Sequence, residues 1–491
     1  MMNWRDKLVE RIHRWLRLEP YTYSRSFSIR EGSSFETEIL CHRLWYRGNG
    51  DELRQFYRMH TGGVCDDAGV SRFWAAVPPG SGIRKIHSGL PGNMVDTLAA
   101  LVLSDYDGLT IRENDRWTEL ARSCDLTTVL DTAIRETLVT GDGAFQITWD
   151  AQCDPHPTVR FVPADRVEYH THAGRLTGIS FFSDYCTGKA RFQLEEQYTR
   201  GQITYILRDS DGKAVPLDTV PQLRSLKPVT LPDNLLAAVP LRFFASTRWP
   251  GRGKSIFANK TDVFDAHDEV ISQWMDAIRC GRVMKYIPAD LIPRHPETGQ
   301  PLPVNSFGSN FVKIAGSADE EAAHRIDTIQ PEIRYEAFLS SYTATLDMCL
   351  QGVLSPATLG IHISAEASGE SQRQRKDITG FTRNTITGVL ETVIPQLATL
   401  LLRIDDWLGG RSIGVYTPSV SFGEYAAPDF GTRVKTVSEA ANAGILSIRA
   451  QVEQLWGGSK DDRWIEEEVN RIREEQGMTP LTADVVQEDL P

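Results

Sequence analysis

The segment Gly251-Arg252-Gly253-Lys254-Ser255 has the residue types of a phosphate-binding loop. A β-prone run precedes it and helical periodicity follows, which is the setting in which a glycine-rich loop holds nucleotide phosphates on its backbone N–H groups. That motif also needs a glycine roughly five residues before its second glycine, and this position is Arg248. No strand ending in a magnesium-binding aspartate follows. We therefore interpret the glycines as a turn into a helix, with nucleotide binding as an alternative.

Histidine, cysteine and serine residues do not form the patterns of other active sites. The cysteines at positions 41, 65, 124, 153, 186, 280 and 349 stand singly, which is typical of reduced thiols in a cytoplasmic protein. His170-Thr171-His172 could lie on one side of a strand and bind a metal, but no ligand partner has the right spacing. No Gly-x-Ser-x-Gly nucleophile motif is present. The sequence therefore predicts no catalytic residues, no metal and no cofactor.

The charge balance argues against tight binding of nucleic acid. Lys and Arg total 53 against 65 Asp and Glu, which gives a net charge of −12, whereas proteins that bind nucleic acid usually carry excess positive charge. The sequence also predicts no membrane segment, because no apolar run approaches the roughly 20 residues that cross a bilayer. The charged start, residues 1–7, lacks the apolar stretch of a signal peptide, so we expect a cytoplasmic protein.

The first half of the chain is predicted to be helical and then β-rich. Residues 35–150 have helical spacing, with a helix capped by Asn93 and another over 117–139 that ends at the Gly141-Asp142-Gly143 turn. Short β-prone runs then alternate with turns and predict an antiparallel region. These runs are 144–149, 159–162, 177–182, 202–207 and 239–244.

The second half is predicted to hold two helices separated by an insertion, and then a longer helix. Phe264, Ile271, Trp274 and Ile278 repeat at helical spacing. A proline-rich insertion over 286–331 follows, and helical spacing then resumes. After a glycine-containing loop, the longest helix runs over about 370–408, with a kink expected before Pro395. Two shorter helices over 430–478 and a disordered acidic tail over 479–491 complete the prediction.

This order of elements, with several short motifs, resembles the portal proteins of long-tailed bacteriophages. No single motif is specific, since none performs chemistry; their order and spacing carry the resemblance over residues 35–478. The β-rich stretch 150–245 matches nothing in particular. The motifs are Trp45-Tyr46-Arg47-Gly48 with Leu53, Phe56 and Tyr57; Lys85 to Pro91; Gly251 to Ser255; Asp265 to Glu269 with Ser272-Gln273-Trp274; Tyr286-Ile287-Pro288; Ser355 to Gly360 with Ser368 to Ser371; and Ala443 to Ser447.

The resemblance implies an α+β portal fold with a mixed α/β wing, a two-helix stem, a small α/β clip, a long kinked helix and a helical crown. The implied regions are the wing (1–254), stem helix 1 (255–285), the clip (286–331), stem helix 2 (332–352), a tunnel loop (353–369), the long wing helix (370–408), and the wing end with the crown (409–478). Stem packing is expected from Phe264, Ile271, Trp274 and Ile278, because helices with apolar stripes need partner helices.

The family also implies a function. Portal proteins form a ring of 12 subunits, or 13 in some recombinant preparations, at one capsid vertex, and DNA passes through it during packaging and ejection. The implied partners are further copies of the chain, the terminase large subunit, a head-completion or adaptor protein, the major capsid protein, a scaffold and double-stranded DNA bound without sequence specificity, with no membrane. The implied location is the virion portal vertex, and the host cytoplasm during assembly. The alternatives are another structural virion component or a P-loop-like packaging ATPase.

The tunnel loop and the helix after it supply the candidates for DNA contact. Acidic groups would lie nearest the duplex, and a basic cluster would lie behind them and touch phosphates weakly. An acidic lining suits a conduit because it keeps moving DNA from sticking. The candidates are Glu366, Glu370, Arg373, Arg375 and Lys376.

Overall fold

The computed structural model of the chain separates into two compact units. One unit comprises Met1–Ser104 with Gly108–Ser421, and the other comprises Asp105–Asp107 with Phe422–Pro491. The predicted α+β class is confirmed. The structure describes residues 34–61, 72–76, 83–150, 154–188, 190–281, 283–288, 294–300, 310–314, 327–361, 369–423, 430–457 and 460–477.

The beginning of the first unit is helical, as predicted, and its inner helices are strongly apolar. Leu98 and Ala99 on one helix and Ala133 and Ile134 on another are almost fully buried, so these helices form the core under the later sheets. The elements in chain order are α1 (Phe35–Arg47), α2 (Gly50–Thr61), α3 (Phe73–Ala76), α4 (Leu90–Ser104), β1 (Tyr106–Thr110), α5 (Asn114–Ser123) and α6 (Leu126–Thr140).

Two helix predictions in this region are wrong in detail. The predicted helix over 117–139 is two helices, because the chain turns at Cys124 and Asp125, where Asp125 takes a φ of 46°. Asn93 does not cap α4, which already begins at Leu90, and its N–H donates to the Gly89 carbonyl at 3.1 Å. Pro91 fits in the first turn, where its missing N–H would have no helical partner.

The β-rich region is antiparallel, as predicted, and forms two sheets. One has the strand order β10-β2-β3; the other has six strands in the order β4-β5-β6-β7-β8, with β9 paired to β7. All five predicted runs are strands, whereas β4, β6, β8 and β9 were not predicted. The strands are β2 (Asp142–Thr148), β3 (Thr158–Pro163), β4 (Val167–His172), β5 (Arg175–Thr187), β6 (Ala190–Thr199), β7 (Gln202–Asp209), β8 (Ala214–Val215), β9 (Val229–Thr230) and β10 (Ala238–Arg242).

A helical hairpin interrupted by a small sheet follows. The first helix, α7, is Thr261–Cys280, shorter than predicted because residues 256–260 form turns and a strand begins at Met284. The strands of the insertion are β11 (Met284–Pro288), β12 (Asn310–Ile314) and β13 (Asp327–Ile329), and the second helix is α8 (Tyr335–Leu350). The central strand β11 runs parallel to β12 and antiparallel to β13. Residues 294–300 of the insertion form a turn in which the His295 N–H donates to the Gln300 carbonyl at 2.9 Å. Residues 289–293, 301–309 and 315–326 lie outside the described residues.

The longest helix, α9 (Gly369–Leu408), is one continuous helix with Pro395 inside it. The expected kink stays a prediction.

The expectation that no segment could span a membrane needs correction: by length and composition, residues 378–408 are long and apolar enough to do so. Half of that apolar window is buried within the protein, because Ile386, Leu397 and Leu401 contribute to its core.

The described residues of the second unit form three helices, where the sequence predicted two. They are α10 (Phe430–Asn442), α11 (Ile448–Trp456) and α12 (Asp462–Glu475), and the strand β14 (Ser419–Phe422), which precedes them, pairs with β1. Val452, Ile465 and Val469 form their small core. Ser447 and Asp461 cap the last two helices by accepting a backbone N–H. The predicted acidic tail lies outside the described residues.

Candidate functional site

The end of α1 brings the Trp45 motif against the beginning of α7. Gly48 ends the helix with a φ of 68°, and its N–H donates to the Leu44 carbonyl at 3.1 Å. Trp45 is fully buried, and its Nε1 donates to the Tyr57 hydroxyl at 2.8 Å. Its ring lies 5.7 Å from Phe264 and 5.6 Å from His87. The N-terminal motif is therefore packed directly against α7.

Two carboxylates one turn apart on α7 hold the segments before α4. Asp265 accepts the N–H groups of Phe73 at 2.7 Å and Trp74 at 3.2 Å. Asp268 is fully buried and accepts the Ser88 N–H at 2.9 Å and the Trp74 indole N–H at 3.2 Å. These bonds explain why the Asp265–Glu269 and Lys85–Pro91 motifs, 180 positions apart in the chain, meet in space.

Ser272 continues the same face of α7. Its Oγ accepts the Ile86 N–H at 2.9 Å and donates to the Asp268 carbonyl at 2.7 Å. Three polar side chains thus bind backbone N–H groups that no helix or sheet would otherwise satisfy. We call Asp265, Asp268, Ser272, Trp74 and His87 the stem-base cluster.

Burial controls the electrostatics of the stem-base cluster. It raises the pKa of Asp268 to about 7, and the bonds from Ser88 and Trp74 only partly oppose the shift. It also raises the pKa of Asp265, against its backbone hydrogen bonds. The pKa of His87 and that of His267 are lowered to about 4 by burial. The cluster is a set of buried polar groups in which burial disfavours the charged form of each carboxyl and of the His87 imidazole.

The glycine-rich segment at 251–255 is occupied by its own chain. The Gly253 N–H donates to Asp142 Oδ2 at 2.5 Å, and the Lys254 N–H donates to the Phe244 carbonyl at 2.8 Å. Arg252 donates to both carboxylate oxygens of Asp142, at 2.9 and 2.7 Å. A buried carboxylate therefore takes the bonds that a phosphate would need, which argues against a P-loop.

The bonds from Arg252 and Gly253 to Asp142 also fix the turn that leads into α7, as predicted for the glycines. Arg252 makes further bonds to the carbonyls of Val167 and Ala164. The backbones of Gly141 and Gly253 approach so closely that a Cβ on Gly253 would lie 2.1 Å from the Gly141 oxygen. Glycine is required at 253 because no larger residue fits.

A second charged cluster anchors the end of α9. Arg116 on α5 pairs with Asp405 and Asp406, and its Nη1 donates to the Tyr416 hydroxyl at 2.9 Å. Arg411 also pairs with both aspartates, at 2.6 and 3.3 Å. Burial alone would raise the pKa of Asp405, but hydrogen bonds from His156 and Arg116 and the charge of Arg411 hold it below its usual value. These contacts fix the end of α9 to Arg116 of α5 and to the chain that follows the helix.

The four predicted stem-packing residues have different environments. Phe264 is buried next to Trp45 and Phe257, and Ile271 is partly buried. Trp274 stacks parallel to Phe338 of α8, with ring centroids 6.2 Å apart. Ile278 is 46% exposed. Other large apolar side chains exposed on this hairpin are Met275, Tyr335, Leu339 and Met348.

The structure gives only a backbone position for the predicted channel residues. Glu366 lies outside the described residues. Glu370, Arg373, Arg375 and Lys376 lie in the first turns of α9, but their side chains are not described. The start of the predicted tunnel loop is fixed: the Ser355 N–H donates to Thr379 Oγ1 at 3.0 Å, and Thr358 and Thr379 share a 2.9 Å hydroxyl bond.

The other residues considered for chemistry do not come together. His170 bonds to Ser180 at 2.7 Å, and the register of β4 shifts between His170 and Thr171. Within the described ranges, no group of three or more His, Cys, Asp or Glu side chains could hold a metal ion. The described cysteines are free thiols: Cys41, Cys124, Cys186, Cys280 and Cys349.

Sequence reasoning did not find the roles of Asp142, Asp268 and Arg116. Each binds groups more than 100 positions away in the chain, so no local pattern signals the contact. The sequence placed Asp265 and Asp268 outside the apolar stripe of the helix, as well as in a motif of the resemblance. Their spacing with Ser272, at three and then four residues, puts three polar side chains on one face of α7 and is the one local signal that could have identified them.

No protein-family model matches the chain, and no curated protein matches it. Solved structures similar to it include a chain in the neck of a native GTA particle computed with C12 symmetry, with 13% identity over 78% of this chain and 94% of that chain and a TM-score of 0.38. A chain in the virion of a native gene transfer agent (GTA) particle gives 14% identity, coverages of 81% and 96%, and a TM-score of 0.38. TM-scores of this size are too low to carry a conclusion about this chain.

Proposed function

We propose that this chain is the subunit of a portal ring, through which DNA enters and leaves a phage-type capsid. One observation carries the proposal: three motifs on which the resemblance rests, Trp45–Gly48, Lys85–Pro91 and Asp265–Glu269, meet at the base of a helical hairpin. The hairpin carries an inserted sheet at its far end, as the resemblance requires of a stem and clip.

Ring formation would use the hairpin. The start of α7 is buried in its own wing, whereas its end exposes Met275 and Ile278, and α8 exposes Leu339. Exposed apolar groups on a two-helix element mark an interaction surface. Repeated head-to-tail contacts between such hairpins close into a ring when the rotation between copies closes. A ring of 12 copies, or 13 in a recombinant preparation, is the proposed assembly.

The remaining regions take their proposed roles from the resemblance. The clip, residues 286–331, would dock the terminase large subunit and later a head-completion or adaptor protein. The wing and the crown would meet the major capsid protein and a scaffold. The ring would reside at the virion portal vertex, after assembly in the host cytoplasm and without a membrane. The function is structural, with no catalytic step and no cofactor.

DNA would pass without being held. The net charge of −12 suits a wall that repels the duplex rather than one that binds phosphates. Glu366 and Glu370 would lie nearest the DNA, with Arg373, Arg375 and Lys376 behind them.

Electron microscopy of purified protein tests the proposal. We expect closed rings with a central hole and 12-fold or 13-fold symmetry. Because a subunit could stay monomeric until assembly, assembled particles containing the chain are the companion sample, and the ring should occupy one vertex there. A chain that is monomeric in solution and absent from the vertex would contradict the proposal.

A further inference from the structure

The helices α7 and α8 pack antiparallel, and this determines which of their side chains share a face. Trp274 of α7 stacks on Phe338 of α8. His267, two turns earlier on α7, lies 2.9 Å from the hydroxyl of Thr345, two turns later on α8. In an antiparallel pair of right-handed helices, the residues that follow two facing side chains point to the same side of the pair. The residues after Trp274 and Phe338 therefore lie on one face of the hairpin.

These two residues, Met275 and Leu339, belong to an apolar patch. The patch extends by one turn along each helix, to Ile278 on α7 and Tyr335 on α8. All four side chains are between 42% and 61% exposed. We call Met275, Ile278, Tyr335 and Leu339 the hairpin patch. Neighbouring exposed apolar side chains of this kind mark a contact surface.

Met275 is the member of the hairpin patch that a mild oxidant can change. Its thioether sulfur takes up one oxygen atom from hydrogen peroxide, the O–O bond of the peroxide breaks, and water leaves. The product, methionine sulfoxide, has a polar oxygen in place of a flexible apolar group. Met275 is 42% exposed and so is open to the reagent, whereas Met94 is fully buried and is protected from it.

We propose that Met275 is a redox-sensitive modification site, whose oxidation to the sulfoxide prevents the hairpins of neighbouring copies from joining in a ring. The inference rests on the proposed function, because it takes the hairpin patch to be buried between copies. Burying the sulfoxide oxygen there without a hydrogen-bond donor is costly. Enzymatic reduction of the sulfoxide restores the apolar side chain, so the modification would control assembly reversibly.

Native mass spectrometry of the full chain, before and after treatment with hydrogen peroxide, tests the inference. Oxidation should raise the subunit concentration needed for half-maximal ring formation about tenfold, the effect of one unpaired polar group at each contact. Met275→Leu keeps an apolar side chain of similar volume but has no sulfur. Its assembly should therefore not respond to peroxide. Peptide mapping verifies that Met275 is oxidised in the wild type.

Three variants control for other oxidisable groups. Met59, on α2, is 68% exposed, and Cys280, near the end of α7, is an exposed thiol. Met348 is 56% exposed, but it follows Leu339 by nine residues, or two and a half turns, and so lies on the opposite face of α8. Met59→Leu, Met348→Leu and Cys280→Ser should each keep the tenfold response.

The outcomes separate this inference from the proposed function. If the purified chain stays monomeric, its incorporation at the vertex of assembled particles is measured instead. A chain that forms a ring in neither sample contradicts the proposed function and the inference with it. Rings that form equally well from subunits oxidised at Met275, or a response to peroxide that survives in Met275→Leu, would overturn the inference alone.

Discussion

Asp142 is the residue on which the turn into α7 depends. It is fully buried, accepts the Gly253 N–H and is paired with Arg252, which is itself largely buried. Removing one partner of a buried ion pair leaves the other charge uncompensated, at about 3–5 kcal/mol. The adjacent Lys254 is exposed and contributes only its backbone to the turn. The two positions should therefore respond very differently to substitution.

We expect Asp142→Ala to lower the free energy of unfolding by about 3–5 kcal/mol. Lys254→Ala, the matched control from the same loop, should change it by no more than about 0.5 kcal/mol and leave assembly unchanged. Denaturant unfolding followed by tryptophan fluorescence measures both. Micromolar nucleotide binding that is lost in Lys254→Ala would contradict the interpretation of this segment as a turn.

Asp268 gives a pH dependence with a definite sign. Burial raises its folded-state pKa to about 7, above its value in the unfolded chain. The group therefore favours folding only while protonated, and this contribution is lost as the pH rises from about 4 to about 7. Asp268→Asn lacks this loss, so its stability relative to the wild type should increase over the same range. Unfolding midpoints at several pH values measure the difference, and a constant difference would exclude the assigned pKa.

Secondary structure that leaves a local pattern of residue types was predicted well, whereas long-range polar contacts were not predicted. The runs around Phe145 and Ile179 were predicted as strands from their β-prone residue types and the turn signals between them, and both are strands, buried over 142–147 and 178–181. The partners of Asp142 and Arg116 leave no such pattern, since their acceptors come from distant elements. Asp125 broke a predicted helix because its left-handed φ cannot be inferred from spacing.

At the scale of elements, the interrupted hairpin was predicted in order but not in its bounds. The helical repeat through Phe264 and Trp274 identified α7, whereas the periodicity could not separate helix from turn at either end. The third helix of the second unit was missed because α11 is short. The exposed apolar residues of α7 and α8 lead to a prediction about ring formation.

We expect Ile278→Glu combined with Leu339→Glu to prevent ring formation, because two charges would have to be buried between neighbouring hairpins. Ala344→Glu is the control, since Ala344 is an exposed small residue on the same helix as Leu339. Native mass spectrometry should find rings for the control and lower assemblies for the double variant, with both folded by circular dichroism. Rings of normal size in the double variant would exclude this face as the contact.

At the scale of the whole molecule, the assembled ring would bring the first turns of α9 from every copy to one channel. A few weak, salt-screened contacts per subunit would then act many times on the same duplex. Mutation of the basic cluster in those turns therefore tests whether such contacts matter.

Arg373→Glu with Arg375→Glu should leave rings intact but reduce packaging or retention of DNA, since each subunit would replace transient attraction by repulsion. Arg175→Glu with Arg200→Glu makes the same charge change at exposed positions of the six-stranded sheet and should package normally. The amount of nuclease-protected DNA in assembled particles measures packaging by both double variants. Normal packaging by the Arg373→Glu, Arg375→Glu variant would show that the first turns of α9 do not line the channel.

The ladder between β11 and β13 has an evolutionary consequence. The register Met284↔Ile329 joins the chain leaving α7 to the chain returning to α8, so the two ends of the insertion are held side by side whatever lies between them. If the insertion docks partners as proposed, its sequence between the paired ends could diverge to suit a new partner while α7 and α8 keep their positions. Selection could then change the proposed docking specificity without altering the helical hairpin.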